Sequence, residues 1–109
     1  MTALDGFHLV PHKRVEVLID AAVQPRLVRR LEGLDHVAFT VLPAMAGQGS
    51  QGAWNREGGL GAAGRYTRVM CEVEPDKLDA LLALMTDLVH NGTAHVSVFD
   101  MTILRERQG

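Results

Sequence analysis

From Val15 to Ile19 apolar and other residues alternate, with Val15, Val17 and Ile19 on one side. A period of two sustained over about seven residues predicts a strand, and Asp20 closes it. Pro25 suits the first position of a helix that places Leu27, Val28 and Leu31 on one face, with Gly33 as its stop. The run Val37-Ala38-Phe39-Thr40-Val41-Leu42 is rich in strand formers, and Pro43 ends it. Residues 44–66 show no apolar periodicity. Order resumes at Thr67, where Val69, Cys71 and Val73 alternate with Arg68, Met70 and Glu72. After Pro75 and Asp76 the spacing of Leu78, Leu81, Leu82, Met85, Leu88 and Val89 predicts the most regular helix of the chain, stopped at Asn91-Gly92. A last strand holds Val96, Val98, Phe99, Met101, Ile103 and Leu104, with Arg105 and Arg107 at its end.

Strand, helix, strand, loop, strand, helix, strand is the split βαβ order. The expected fold is therefore α+β: a ferredoxin-like βαββαβ sandwich with a long loop between strands 2 and 3. Both helices should cover one face of an antiparallel sheet. The other face, left partly apolar, calls for a partner, which predicts a homo-oligomer. Residues 1–12 read as an irregular N-terminal arm ending at Pro11, and residues 13–109 as a single domain.

Composition narrows the function. A chain of 109 residues with 47% hydrophobic and 22% charged residues is one ordinary globular domain. Its formal charge of −2 argues against a general nucleic-acid or anionic-membrane binder. The single cysteine, Cys71, excludes an intrachain disulfide and any cysteine-cluster metal site. Apolar stretches fall far short of the ~20 residues of a membrane span, and Asp5, His8 and His12 interrupt any signal-peptide core. A cytoplasmic location without membrane insertion is expected.

Seven of the eleven glycines lie within residues 44–66. The segment Gly47-Gln48-Gly49-Ser50-Gln51-Gly52 has the GxGxxG spelling but does not open a helix in a parallel unit, so it is not a dinucleotide fingerprint. Its glycines could bring backbone N–H groups to phosphate oxygens as an anion nest, or could form a loop that binds nothing. Arg105 and Arg107 share parity and could hold phosphate, or could be a solvated strand end beside Glu106. Trp54, near Arg56, Glu57 and Arg65, is a loop-packing anchor or a contact for a partner protein. None of the five histidines has a cysteine or carboxylate at ligand spacing, so no metal site is expected. Cys71 reads as a small core residue, and nothing supports catalysis by Ser50 or Ser97; no catalytic residue is assigned.

Taken in order, Thr40-Val41 leading into Gly47-x-Gly49-x-Gln51, the long glycine loop, and Val98-Phe99-Asp100 followed by Arg105-x-Arg107 resemble the PII signalling proteins. The resemblance spans about residues 13–107. It implies a homotrimer whose intersubunit clefts bind adenine nucleotides. Thr40 would lie by the adenine, and Gly47, Gly49 and Gln51 by the phosphates. A short loop at Gly92, Thr93 and Ala94 would close over them, and Arg105 and Arg107 would reach phosphates from a neighbouring subunit. Residues 44–66 would be the T-loop, presenting Trp54 and Arg56 to a protein target. The chain departs from the family pattern in three ways. Its only tyrosine, Tyr66, stands at the loop's far end rather than at its tip. No lysine lies between Gly92 and Val96, and none lies in the T-loop. The resemblance thus implies a PII-like, non-enzymatic regulator with ADP or AMP favoured over ATP as ligand. Bicarbonate would be a further anion, as in inorganic-carbon-associated types, and no cofactor is implied. The alternative is a metal-responsive PII-like or CutA-like trimer associated with cation efflux. An RNA-binding domain of this topology would stack bases on central-strand aromatics, and residues 67–73 contain none.

Overall fold

The computed structural model describes residues 4–49, 52–55 and 66–108. Its elements are β1 (Phe7–Asp20), α1 (Gln24–Glu32), β2 (Ala38–Pro43), β3 (Ala46–Gly49), β4 (Gly52–Asn55), β5 (Tyr66–Val73), a 3₁₀ turn (Pro75–Lys77), α2 (Leu78–Ala83), α3 (Thr86–His90) and β6 (Ala94–Glu106). Four strands form one sheet in the order β2-β5-β1-β6, every pair antiparallel. This is the ferredoxin-like arrangement.

Period-two alternation sets the two faces of the sheet. Val15, Val17 and Ile19 of β1 join Val69, Cys71 and Val73 of β5 in one cluster with Leu27 and Leu31 of α1 and with Leu81, Met85 and Leu88. The helices therefore cover the same face. Burying each of these aliphatic side chains contributes about 1.5–3 kcal/mol. On the opposite face the register aligns Thr40, Met70, Glu16 and Ser97 in one row, and Ala38, Glu72, Arg14 and Phe99 in the next.

Three expectations need correction. The first concerns residues 1–12. β1 begins at Phe7 and runs through Pro11, because β6 offers a partner as far as Glu106. β5 stops at the Lys13–Val73 pair, so residues 7–12 and 101–106 continue as a two-stranded ribbon. Pro11 is tolerated there because β1 has a neighbour on one side only.

The second concerns residues 44–66. β3 and β4 pair antiparallel from Ala46–Asn55 to Gly49–Gly52, and Tyr66 already belongs to β5. Ladder bonds need backbone groups alone, so a hairpin forms without apolar alternation. The Ala44 N–H donates to the Tyr66 carbonyl at 3.2 Å and holds the loop's base.

The third concerns the second helix, which tightens at Leu84 and Met85. Their N–H groups donate three residues back, to Leu81 at 3.1 Å and Leu82 at 3.0 Å. Arg30 of α1 donates to the Leu84 carbonyl at 2.9 Å and, bidentately, to Asp87 at 2.8 and 3.0 Å. The break keeps Leu81, Met85 and Leu88 buried but leaves Val89, expected in the core, 48% exposed.

Candidate functional site

One group of candidates gathers where Pro43, Thr67, Ile19 and Ala94 lie side by side across the sheet. Thr40 is exposed on the helix-free face of β2. Gly47 pairs with Trp54 and Gly49 with Gly52, so both glycines form part of the hairpin's backbone. Gln51 and Arg56 lie outside the described residues.

At the same end, Gly92 ends α3 with a φ of +80°. Its N–H donates to the Val89 carbonyl at 3.1 Å, and that of Thr93 donates to Leu88 at 3.0 Å. These two bonds are the Schellman pattern, which suits glycine because it has no Cβ to strain the left-handed turn. The Thr93 hydroxyl lies 2.7 Å from the Asn91 amide oxygen and 3.2 Å from the Leu88 carbonyl. Its own carbonyl accepts from the Asp20 N–H at 3.2 Å. Both amides thus serve the helix cap, and a ligand at this turn in this form would meet its outer surface.

The arginines lie at the other end. Arg105 lies eleven positions along β6 from Ala94, roughly 36 Å of extended strand. Arg105 places its Nη2 3.2 Å from His12 Nε2. Arg107 follows the end of β6: its Nε donates to the Phe7 carbonyl at 3.0 Å and its backbone N–H to the Gly6 carbonyl at 2.6 Å. One chain does not bring these arginines to Thr40, Gly47 or Gly92.

His12 is the residue that sequence reasoning assigned to a loose arm. It is buried, with 7% exposure. A signal was present in the length of the last strand, which would leave its backbone unpaired over the final turns unless its neighbour began well before Lys13. His8, His36, His90 and His95 are exposed. Among the described residues no three His, Cys, Asp or Glu side chains come together as a metal site. Burial pushes the Cys71 thiol up to about 12, so it stays protonated at neutral pH and is no nucleophile. No described helix is long and apolar enough to cross a membrane.

The family model for nitrogen regulatory protein P-II matches residues 12–108. None of the curated proteins matches the chain. Among solved structures the fold is similar to CPII, a nitrogen regulatory PII-like protein from Thiomonas intermedia K12, bound to ADP, AMP and bicarbonate. That match has a TM-score of 0.75 and 18% identity, and covers 88% of this chain and 91% of that one. The apo form of CPII gives a TM-score of 0.71 and 15% identity over 91% of this chain and 98% of that one. CPII bound to ADP and bicarbonate gives 0.71 and 22% over 88% and 91%.

Proposed function

The chain belongs to the nitrogen regulatory protein P-II family, and on that footing we propose that it is a non-catalytic, cytoplasmic regulator that binds ADP or AMP in clefts between three copies of itself. The separation of the candidate ligand groups carries this reading. Thr40, Gly47 and Gly92 lie toward one end of the sheet, and Arg105 and Arg107 end a strand that runs away from it. A mononucleotide cannot span that length, so a site using both sets needs the arginine end of a second copy. The helix-free face, with Phe99 exposed at its β6 edge, is the surface on which copies would meet.

In the assembled cleft Thr40 would border the adenine, and Gly47, Gly49 and Gln51 the phosphates, with Arg105 and Arg107 arriving from the neighbour. The turn at Gly92 and Thr93 would flank the ligand. Without a lysine between Gly92 and Val96, a third phosphate gains no additional cation there, which favours ADP and AMP over ATP. Bicarbonate as a second anion is supported by the CPII complex with ADP, AMP and bicarbonate. Trp54, on β4, and Arg56 would present the ligand state to a protein target. Ordering a glycine-rich segment has a high entropic cost that phosphate contacts can offset, which suits a switch.

Calorimetry with AMP, ADP and ATP, with and without bicarbonate, tests the reading alongside light scattering. We expect a trimer that binds ADP or AMP, with ATP gaining little. Gly49→Ala should weaken nucleotide binding, and Trp54→Ala should spare it while impairing the target. A monomer at micromolar concentration, or no response to any adenine nucleotide, would overturn it.

A further inference from the structure

The register places Arg105 opposite His8, and His12 opposite Met101 on the same face of the ribbon. The Arg105 side chain runs back along that face to His12, where Nη2 and Nε2 are 3.2 Å apart. A guanidinium only donates. Nε2 therefore accepts, which makes the imidazole neutral with its proton on Nδ1. That Nδ1 is buried and has no hydrogen-bond partner among the described residues. Within the chain's described residues this N–H adds no hydrogen bond to the fold, whereas Nε2 engages Arg105.

The chemistry of the pair offers an explanation. Among the described residues the ion pairs are Lys13–Asp100, Arg14–Glu72 and Arg30–Asp87, and none includes Arg105. The carboxylates on that face, Glu16 and Asp20 of β1 and Glu72 of β5, lie further along the sheet, and Glu72 is engaged with Arg14 at 3.3 Å. A carboxylate partner would orient Arg105 and cancel its charge. An uncharged imidazole orients it and leaves the charge available.

We propose that His12 is a positioning residue for phosphate binding: a neutral, buried acceptor that aims the Arg105 guanidinium while leaving its other N–H donors and its charge for an oxyanion of a nucleotide. The N-terminal ribbon is then part of the site, and Phe7, which holds Arg107 through its carbonyl, lies before the first residue of the family match. The inference rests on the reading of Arg105 as a phosphate ligand.

Its test has two arms. Long-range ¹⁵N–¹H spectra of the ligand-free protein, recorded at about pH 8 where an ordinary imidazole is neutral, should show His12 as the Nδ1–H tautomer, and Arg105→Ala should shift its Nε2 signal. An Nε2–H tautomer would overturn the proposal without any ligand present. In ADP calorimetry, His12→Leu should weaken binding roughly three- to tenfold, the scale of one lost hydrogen bond. His12→Gln, which keeps a carbonyl acceptor, should restore most of it. Wild-type affinity in His12→Leu beside a loss in Arg105→Ala would defeat the role of His12 and leave the function standing. Wild-type affinity in Arg105→Ala would defeat the reading of the arginine itself, and the role of His12 with it.

Discussion

Between Lys13 and Ile19, β1 has β5 on one side and β6 on the other, and Val15, Val17 and Ile19 are sealed under the helices. Between Phe7 and His12 the same strand has β6 alone, and its apolar side chains face out, Leu9 at 62% and Leu104 on β6 at 52% exposure. The two stretches share backbone geometry and hydrophobic content. They differ in layers: with no helix above it, the ribbon leaves these apolar side chains in water, although on its other face His12 is buried. The difference divides the labour of the molecule. Stability resides where the helices cover the sheet, and Arg105, proposed above as a phosphate ligand, lies where only one ladder supports its strand.

The sharpest way to break this division is truncation on both sides of it. Leu81→Ala, in the sealed region, should cost about 2–5 kcal/mol in urea unfolding. Leu104→Ala on the ribbon should change it by roughly 0.5 kcal/mol or less, as for other surface positions. Equal losses would mean that the ribbon belongs to the cooperative core.

Arg105→Ala sharpens the comparison from the ligand side. It should lower ADP affinity about tenfold or more, the scale of a hydrogen bond to a charged group, while the ligand-free melting temperature stays near wild type. A fall in melting temperature with unchanged affinity would place the arginine among the structural residues.

Gly92→Ala probes the turn at the sealed end. Nothing lies within 4 Å of the added Cβ, and the backbone φ is +80°, so the cost is conformational alone, about 1–2 kcal/mol. Chemical denaturation should report that loss, and the ribbon's arginines should be indifferent to it.

The smallest effect is expected at Asp87. Its hydrogen bond with Arg30 holds the carboxyl below the usual carboxylate range, against the opposing effect of desolvation. The unfolded chain therefore takes up this proton first as pH falls. The stabilisation is complete above the unfolded value of about 3.9 and is lost as pH drops through the lower folded value. Asp87→Asn should melt slightly below wild type at neutral pH, less so in high salt because the pair is exposed. The two proteins should converge in acid; a gap that persisted there would assign the effect to packing.

Legibility followed range along the chain. Val15, Val17 and Ile19, Val69, Cys71 and Val73, and Leu81, Met85 and Leu88 declare themselves by spacing, because a strand repeats every two residues and a helix every three to four. The stop at Gly92 is legible for the same reason, since one residue's freedom at positive φ decides it. From those local periods the order of elements and the ferredoxin-like topology follow.

What tertiary structure alone decided involves partners far apart in sequence. Arg30 meets the Leu84 carbonyl and Asp87 across more than fifty residues and occupies the break in the second helix. The length of β1 is set by β6, not by its own alternation, which Pro11 obscures. His12 lies 93 residues from the Arg105 it touches. Periodicity states which way a side chain points relative to its own backbone. Which other side chain it finds there depends on the register of strands that only the folded sheet defines.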